Sequence, residues 1–163
     1  MGVKIMLDII KVGNKVLREI AEGVDLSTEK EYISHLVEEM IETVKATGGV
    51  GLAAPQVGIS KRLIIVRDSD TNEFIPMINP IITWTSFDRE CMKEGCLSVV
   101  DENNKPIHKN IFRFTRVKVK YIDIEGKEQE KLVKNHLMSR IIQHEIDHLQ
   151  GRLFIDYINT TDK

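Results

Sequence analysis

Only two cysteines, Cys91 and Cys96, occur in the 163 residues. They are too few for a disulfide scaffold, and in a reducing compartment a lone thiol serves as a ligand, a nucleophile or buried filler. No apolar run approaches the ~18 residues of a membrane span, and residues 1–15 have neither a secretory apolar stretch nor an Arg/Ser-rich transit composition. A cytoplasmic chain is the expectation, an organellar matrix is left open, and no membrane is expected as a partner. An excess of one charge is also lacking. Twenty-three basic residues face 25 acidic ones for a net charge of −2, without the electrostatic footprint on which nucleic-acid binding relies. Repeats, low-complexity tracts and Pro- or Gly-rich linkers are missing too, which predicts one domain over 1–163.

The composition that remains, 42% hydrophobic and 29% charged, is that of an ordinary globular protein. A chain of this length buries roughly two-thirds of its unfolded surface and needs no metal staple to make a core. Any metal it holds is therefore free to act in chemistry.

A short helical pattern lies around 15–22. Thr28 with Glu31 then offers a capping box for a helix of about five turns, whose stripe is Ile33, Leu36, Val37, Met40, Ile41 and Val44 and whose stop is Gly48 and Gly49. His35 beside that stripe reads as a partly solvated structural histidine. Beyond Arg62 the pattern turns to β-type runs at 63–66, 74–82, 117–123 and 128–134. Alternation of Val117, Val119 and Tyr121 with Lys118, Lys120 and Ile122, and Gly126 at a hairpin turn, predict mostly antiparallel sheet with one solvated face. Asn135 is a plausible N-cap for a second long helix ending near Gln150, with Gly151 just past its end. Leu137, Ile141, Ile142, Ile146 and Leu149 predict that this helix is largely buried, yet it carries His144, Glu145, Asp147 and His148. Buried polar groups need partners, and that conflict points to a site.

Helical geometry sets His144, Glu145 and His148 at roughly 0°, 100° and 40° around the axis. Two imidazoles one turn apart can grip one ion. In this H-E-x-x-H arrangement the glutamate is a proton shuttle for the activated water and not a ligand. A catalytic site needs a third ligand and an open position. The extended pattern would place a histidine at 154, where the chain has Phe154. Asp156 is a strained alternative, so the ligand is sought upstream among Cys96, Cys91, His136, His108 and carboxylates. His136 lies two turns before His144, too far along the axis, and is assigned to capping or solvent. His108 falls in a polar stretch, 101–110, read as a surface loop. Cys91 is read as small buried filler. Cys96 stands apart because Gly95 permits close approach of the backbone and a metal would hold its thiol as thiolate.

A glycine-rich segment, 49–58, lacks the G-K-[ST] of a phosphate loop. Its small residues suggest a backbone that another group approaches closely, with exposed main-chain groups for an extended peptide. Gln56 within it is either satisfied structurally or aimed at a substrate oxygen.

Three segments together, G-x-G-x-A-A-P-Q at 49–56, E-G-C-L-S at 94–98 and Q-H-E-x-D-H-L-x-G at 143–151, resemble the signatures of the peptide deformylase family in order and separation. The resemblance implies an α+β fold with mostly antiparallel sheets packed around the central metal-binding helix, and a second long helix in the N-terminal half. It implies a hydrolase that removes the N-formyl group from the initiator methionine of nascent polypeptides and releases formate. One divalent ion would be ligated by Cys96, His144 and His148, with Fe(II) the native metal and Zn, Ni or Co able to replace it. Glu145 would move the proton, while Gln56 and the Leu97 N–H would hold the oxyanion. Val50 and Gly51 would pair with the substrate main chain, and Glu94 with Arg113 would brace the cysteine loop. The partners would be an N-formylmethionyl nascent peptide and, transiently, the ribosome.

Four features depart from the family. Residues 99–105 lack its Pro and Arg, the stretch before Arg113 is about five residues longer, Val12-Gly13-Asn14 replaces a Pro-Asp-Pro turn, and the chain omits the trailing helix of some members. Rival readings are a metallopeptidase on the same helix, a copper electron-transfer protein, which would have no use for Glu145, and a drifted N-acyl amidohydrolase.

Overall fold

The structure, a computed structural model, describes residues 5–159; the ends of the expected 1–163 unit, and the first residues of the segment read for a leader, lie outside the described residues. The elements run α1 (Leu26–Ala46), β1 (Gly51–Ala53), β2 (Leu63–Arg67), β3 (Phe74–Thr85), β4 (Arg89–Val100), β5 (Pro106–Phe114), β6 (Val117–Ile122), β7 (Glu128–Val133) and α2 (His136–Leu149), with single 3₁₀ segments at Lys15–Arg18, Ala54–Val57 and Phe154–Asn159. The α+β architecture is the expected one.

Five strands form an antiparallel sheet in the order β1-β2-β3-β6-β7, and β4 pairs with β5 in a separate hairpin. Strand β2 shows why the sheet lies between two helices. Leu63 and Ile65 join Ile33, Leu36, Met40 and Val44 of α1 in one apolar cluster. Ile64 and Val66 join Met138, Ile142 and Leu149 of α2 in another. Successive side chains of a strand point to opposite faces, so a continuous apolar run of four is buried on both sides. The single solvated face expected for the sheet holds only toward β6 and β7, where Lys118 and Lys120 alternate with fully buried Val117 and Val119. A third cluster, Val99, Ile111, Leu153 and Phe154, seats the β4–β5 hairpin on the segment after α2.

Several local expectations change. The pattern around 15–22 yields one 3₁₀ turn, Lys15–Arg18, capped by Asn14. The chain then extends, because Ala21 N–H is needed by Leu149 O and Glu22 N–H by Ser60 O. Helix α1 is capped by Asp25, not Thr28. Asp25 accepts from Ser27 N–H, and Glu29 reaches back to the Asp25 N–H at 2.9 Å, a reciprocal cap one turn earlier. Asn135 caps α2 as expected, accepting from Met138 N–H, and Gly151 follows its end at φ +68, in the left-handed region that glycine enters freely. Cys91 is exposed, not filler. The twofold strand period that turns Glu94 and Cys96 inward turns Cys91 outward, opposite the half-exposed Phe112. No helix among the described residues is long and apolar enough to cross a membrane.

Candidate metal centre and its cleft

Helix α2 presents His144, Glu145 and His148, all buried, and β4 crosses it with Cys96. The ligand atoms of Cys96, His144 and His148 lie within 4.8 Å of one another, with Cys96 Sγ 3.4 Å from His148 Nε2. The two imidazoles meet edge-on at 5.0 Å between centroids. Phe154, where the extended motif would have a third histidine, stacks on the His144 ring at 6.1 Å. Asp156 is not available as a ligand, because Arg18 forks onto its carboxylate at 2.7 and 3.1 Å. His136 bonds Glu90 at the surface, 3.0 Å away. His35 is exposed.

His144 is oriented through its other nitrogen. Its Nδ1 lies 2.5 Å from Glu94 Oε1, leaving Nε2 for the site, the usual way a carboxylate fixes a ligating imidazole. Glu94 is itself held by Arg113 at 2.7 and 3.2 Å. Arg113 continues to Asp147 at 2.5 Å, and the Tyr157 hydroxyl donates to the same carboxylate. The expected Glu94–Arg113 pair is therefore present, inside a larger network that also includes Arg140 at 2.8 Å from Glu94 Oε2. Burial opposes the charge on Glu94, but the His144 and Arg113 hydrogen bonds overcome it and hold the carboxyl well below the usual carboxylate range.

As a protein-only arrangement the group is unsatisfied. Burial disfavours a charged His144, yet hydrogen bonds to Cys96 and Glu94 raise its pKa to about 10. Burial and that neighbouring charge push His148 the other way. His148 Nδ1 and Glu145 Oε2 are buried without a hydrogen-bond partner. One thiol and two imidazoles fit a divalent ion of intermediate softness and leave a position open.

Glu145 lies over the backbone of Gly51. A Cβ at Gly51 would stand 2.5 Å from Glu145 Oε1 and 2.9 Å from Ile141 Cγ2, so the small residue there makes room for the carboxylate. Burial raises Glu145 to about 7. Gln56 uses its carbonyl to accept from Ala53 N–H at 2.9 Å, and its amide donates to Ser98 Oγ at 3.2 Å and toward Cys96 Sγ at 3.4 Å. It is thus satisfied structurally while its donor end faces the thiol. Leu97 falls where the β4–β5 ladder lapses, between the pairs Gly95↔His108 and Val100↔Pro106. Val50, Gly51, Gln56, Leu97, Cys96 and Glu145 all line one cleft of about 580 Å³.

Two residues of that cleft differ from expectation. His108 is on strand β5, not a surface loop; only residues 101–105 form the turn, and its ring fills the space beside Gly95, 2.7 Å from where a Cβ would stand. Leu137, expected in the core, is half-exposed and forms cleft wall. Arg140 was missed altogether, because a charge on a helix carries no local sign that it turns inward.

A partnerless carboxylate beside a Cys/His/His group on a cleft floor is the arrangement of a metal-dependent hydrolase. The family model for polypeptide deformylase matches residues 6–163. A peptide deformylase of Fusobacterium nucleatum is 42% identical over 153 residues, covering 94% of this chain and 84% of that one. The crystal structure of the Thermotoga maritima peptide deformylase superposes with a TM-score of 0.83 at 39% identity, over 93% of this chain and 96% of that one. A class I type b peptide deformylase of Acinetobacter baumannii, bound to Met-Ala-Ser, does so at 0.84 and 35% identity over 94% and 99%. The chain belongs to the peptide deformylase family. It is a hydrolase of N-formylmethionyl peptides, removing the formyl group from nascent chains; the family is metal-dependent, and the Cys96, His144 and His148 group could hold the ion.

Proposed function

We propose that the whole chain is one catalytic domain in which Cys96, His144 and His148 hold a single divalent ion, Fe(II) in the native protein with Zn, Ni or Co as replacements, and in which Glu145, Gln56 and Leu97 perform deformylation. The observation that carries this reading is the convergence of three donor atoms within 4.8 Å beside a carboxylate with no partner. When bound, the cation acidifies the attacking water and polarises the formyl oxygen.

The chain's own groups do the rest. Glu145, raised to about 7 by burial, takes the water's proton and later delivers it to the leaving amine, a role suited to a pKa near the working pH. The Gln56 amide and the Leu97 N–H donate to the oxyanion, each such donor being worth roughly 10²–10³ in rate. Strand β1 is a sheet edge, so the backbone at Val50 and Gly51 can pair with an extended substrate as an added strand. Leu97, Leu137 and Ile141 give the cleft an apolar wall for the methionine side chain. The Met-Ala-Ser peptide of the A. baumannii relative supports a cleft of this kind. We place the enzyme in the cytoplasm, meeting nascent chains in transient association with the ribosome.

Formate release from formyl-Met-Ala peptides by anaerobically prepared, metal-analysed protein tests the assignment. Glu145→Ala is expected to keep its metal and lose about 10²–10⁴ in rate. Full activity in that variant would remove Glu145 from the proton path.

A further inference from the structure

Helix α2 grips one carboxylate twice. His144 Nδ1 meets Glu94 Oε1 at 2.5 Å, and Arg140, one turn earlier on the same face, meets Glu94 Oε2 at 2.8 Å. Residues four apart on a helix lie side by side, so the two contacts set the plane of the Glu94 carboxylate relative to the helix axis. Both terminal nitrogens of the Arg140 fork also reach across to the hairpin, while Nε is buried without a partner. Nη1 also bonds Ile111 O on β5 at 2.8 Å, and Nη2 bonds Glu90 O on β4 at 2.6 Å. The side chain is 6% exposed, so these bonds form away from competing water. Cys96 meets the imidazoles from β4, and beyond Gly95 the ladder with β5 lapses until Val100. The strand that delivers the thiol is thus anchored to the histidine helix by the Arg140 fork just upstream of the lapse.

We propose that Arg140 is a positioning residue for the metal centre, fixing the ring of His144 through Glu94 and the seat of the Cys96 strand through the carbonyls of Glu90 and Ile111. A planar fork can hold one carboxylate oxygen and two carbonyls at once, whereas a lysine offers a single point. The proposal rests on Cys96, His144 and His148 as the ligands. It goes beyond that reading by assigning the geometry of the centre to a residue that touches neither ion nor substrate.

The test uses full-length protein loaded with Co(II), reading affinity by chelator competition and the ligand field by visible absorption, alongside kcat and KM at saturating metal. Arg140→Met, which keeps the apolar stem, is expected to bind cobalt about 10–100-fold more weakly, with shifted d–d bands and an altered kcat at unchanged KM. Should it not fold, Arg140→Lys reads the same quantities, with several-fold weaker binding and shifted bands expected. Native affinity and spectrum in a folded Arg140→Met, or in Arg140→Lys where only that folds, overturns the proposal. Wild-type protein that takes up no cobalt defeats the ligand assignment and the proposal together, whereas cobalt-loaded wild type beside unaltered variants defeats the proposal alone.

Discussion

The two long helices cover opposite faces of the same strands, and they are built on different terms. Helix α1 lays a stripe of Ile33, Leu36, Val37, Met40 and Val44 on the sheet and turns Glu38, Lys30 and Glu31 to water. Helix α2 buries Met138, Ile142 and Leu149 against the sheet and, on its other sides, Arg140, Gln143, His144, Glu145 and His148. Covered on both sides, it has several of its polar groups answered by β4 and β5, with Glu145 Oε2 and His148 Nδ1 left without a hydrogen-bond partner at the site. Gln143 and Ser139 bond the Phe114 carbonyl, and Arg113 and Arg140 converge on Glu94. One helix stabilises the sheet. The other holds a charged interior in a single arrangement, which is what a ligating site requires.

Removing Glu94 breaks that contrast most severely. Glu94→Ala leaves Arg113 and Arg140 buried with only Asp147 to balance them. Losing one partner of a buried charge network costs about 3–5 kcal/mol, and loss of the carboxylate behind a ligating imidazole weakens metal binding about 10–100-fold. Denaturant midpoints and metal titration check both effects, and a variant as stable as wild type would mean that the network is slack.

The apolar side should respond differently. Leu36→Ala, at a position 2% exposed, is expected to cost roughly 2–4 kcal/mol by transfer and cavity effects. Metal affinity and turnover of the protein that remains folded should be unchanged, because α1 contributes nothing to the metal group. A drop in kcat at full folding would show that the two faces of the sheet are mechanically coupled.

The same contrast governs what could be read before the fold was known. Apolar periodicity is a local signal, so α1, α2 and strands β2, β3, β6 and β7 were legible, whereas β1, three residues within the glycine-rich segment, was not read as a strand. The motifs carried Cys96, His144 and His148 as a group, and the structure brings them together. The hairpin was opaque. In β4 the inward face is Glu94 and Cys96, so the polar residues sit where a hydrophobic pattern expects apolar ones. The same inversion misassigned Cys91 as filler and His108 as loop. Arg140 carried no local sign at all. Its burial depends on Glu94, which is 46 residues away in the chain.

A carboxylate outside both helices sharpens the comparison at its small end. Asp68 follows β2 and is at least as buried as Glu94, but its partner Lys131, at 2.6 Å, is 34% exposed. Its other oxygen caps the turn by accepting from Asp70 N–H at 2.8 Å. The Lys131 hydrogen bond, with the Asp70 N–H, holds its pKa below the ordinary carboxylate value of 3.8. A depressed folded-state pKa adds stability that is fully present above the unfolded value and fades as pH falls through the folded one. Asp68→Asn is therefore expected to be less stable than wild type by about 1 kcal/mol at neutral pH, the scale of a pair with one solvated member. The gap should hold constant down to about pH 5 and start to close at about pH 4, where Asp68 of the unfolded chain protonates while the folded one is still held ionised. Melting curves of the two proteins across that range check the sign, and a gap that widens in acid would show that Asp68 contributes through its shape and not its charge.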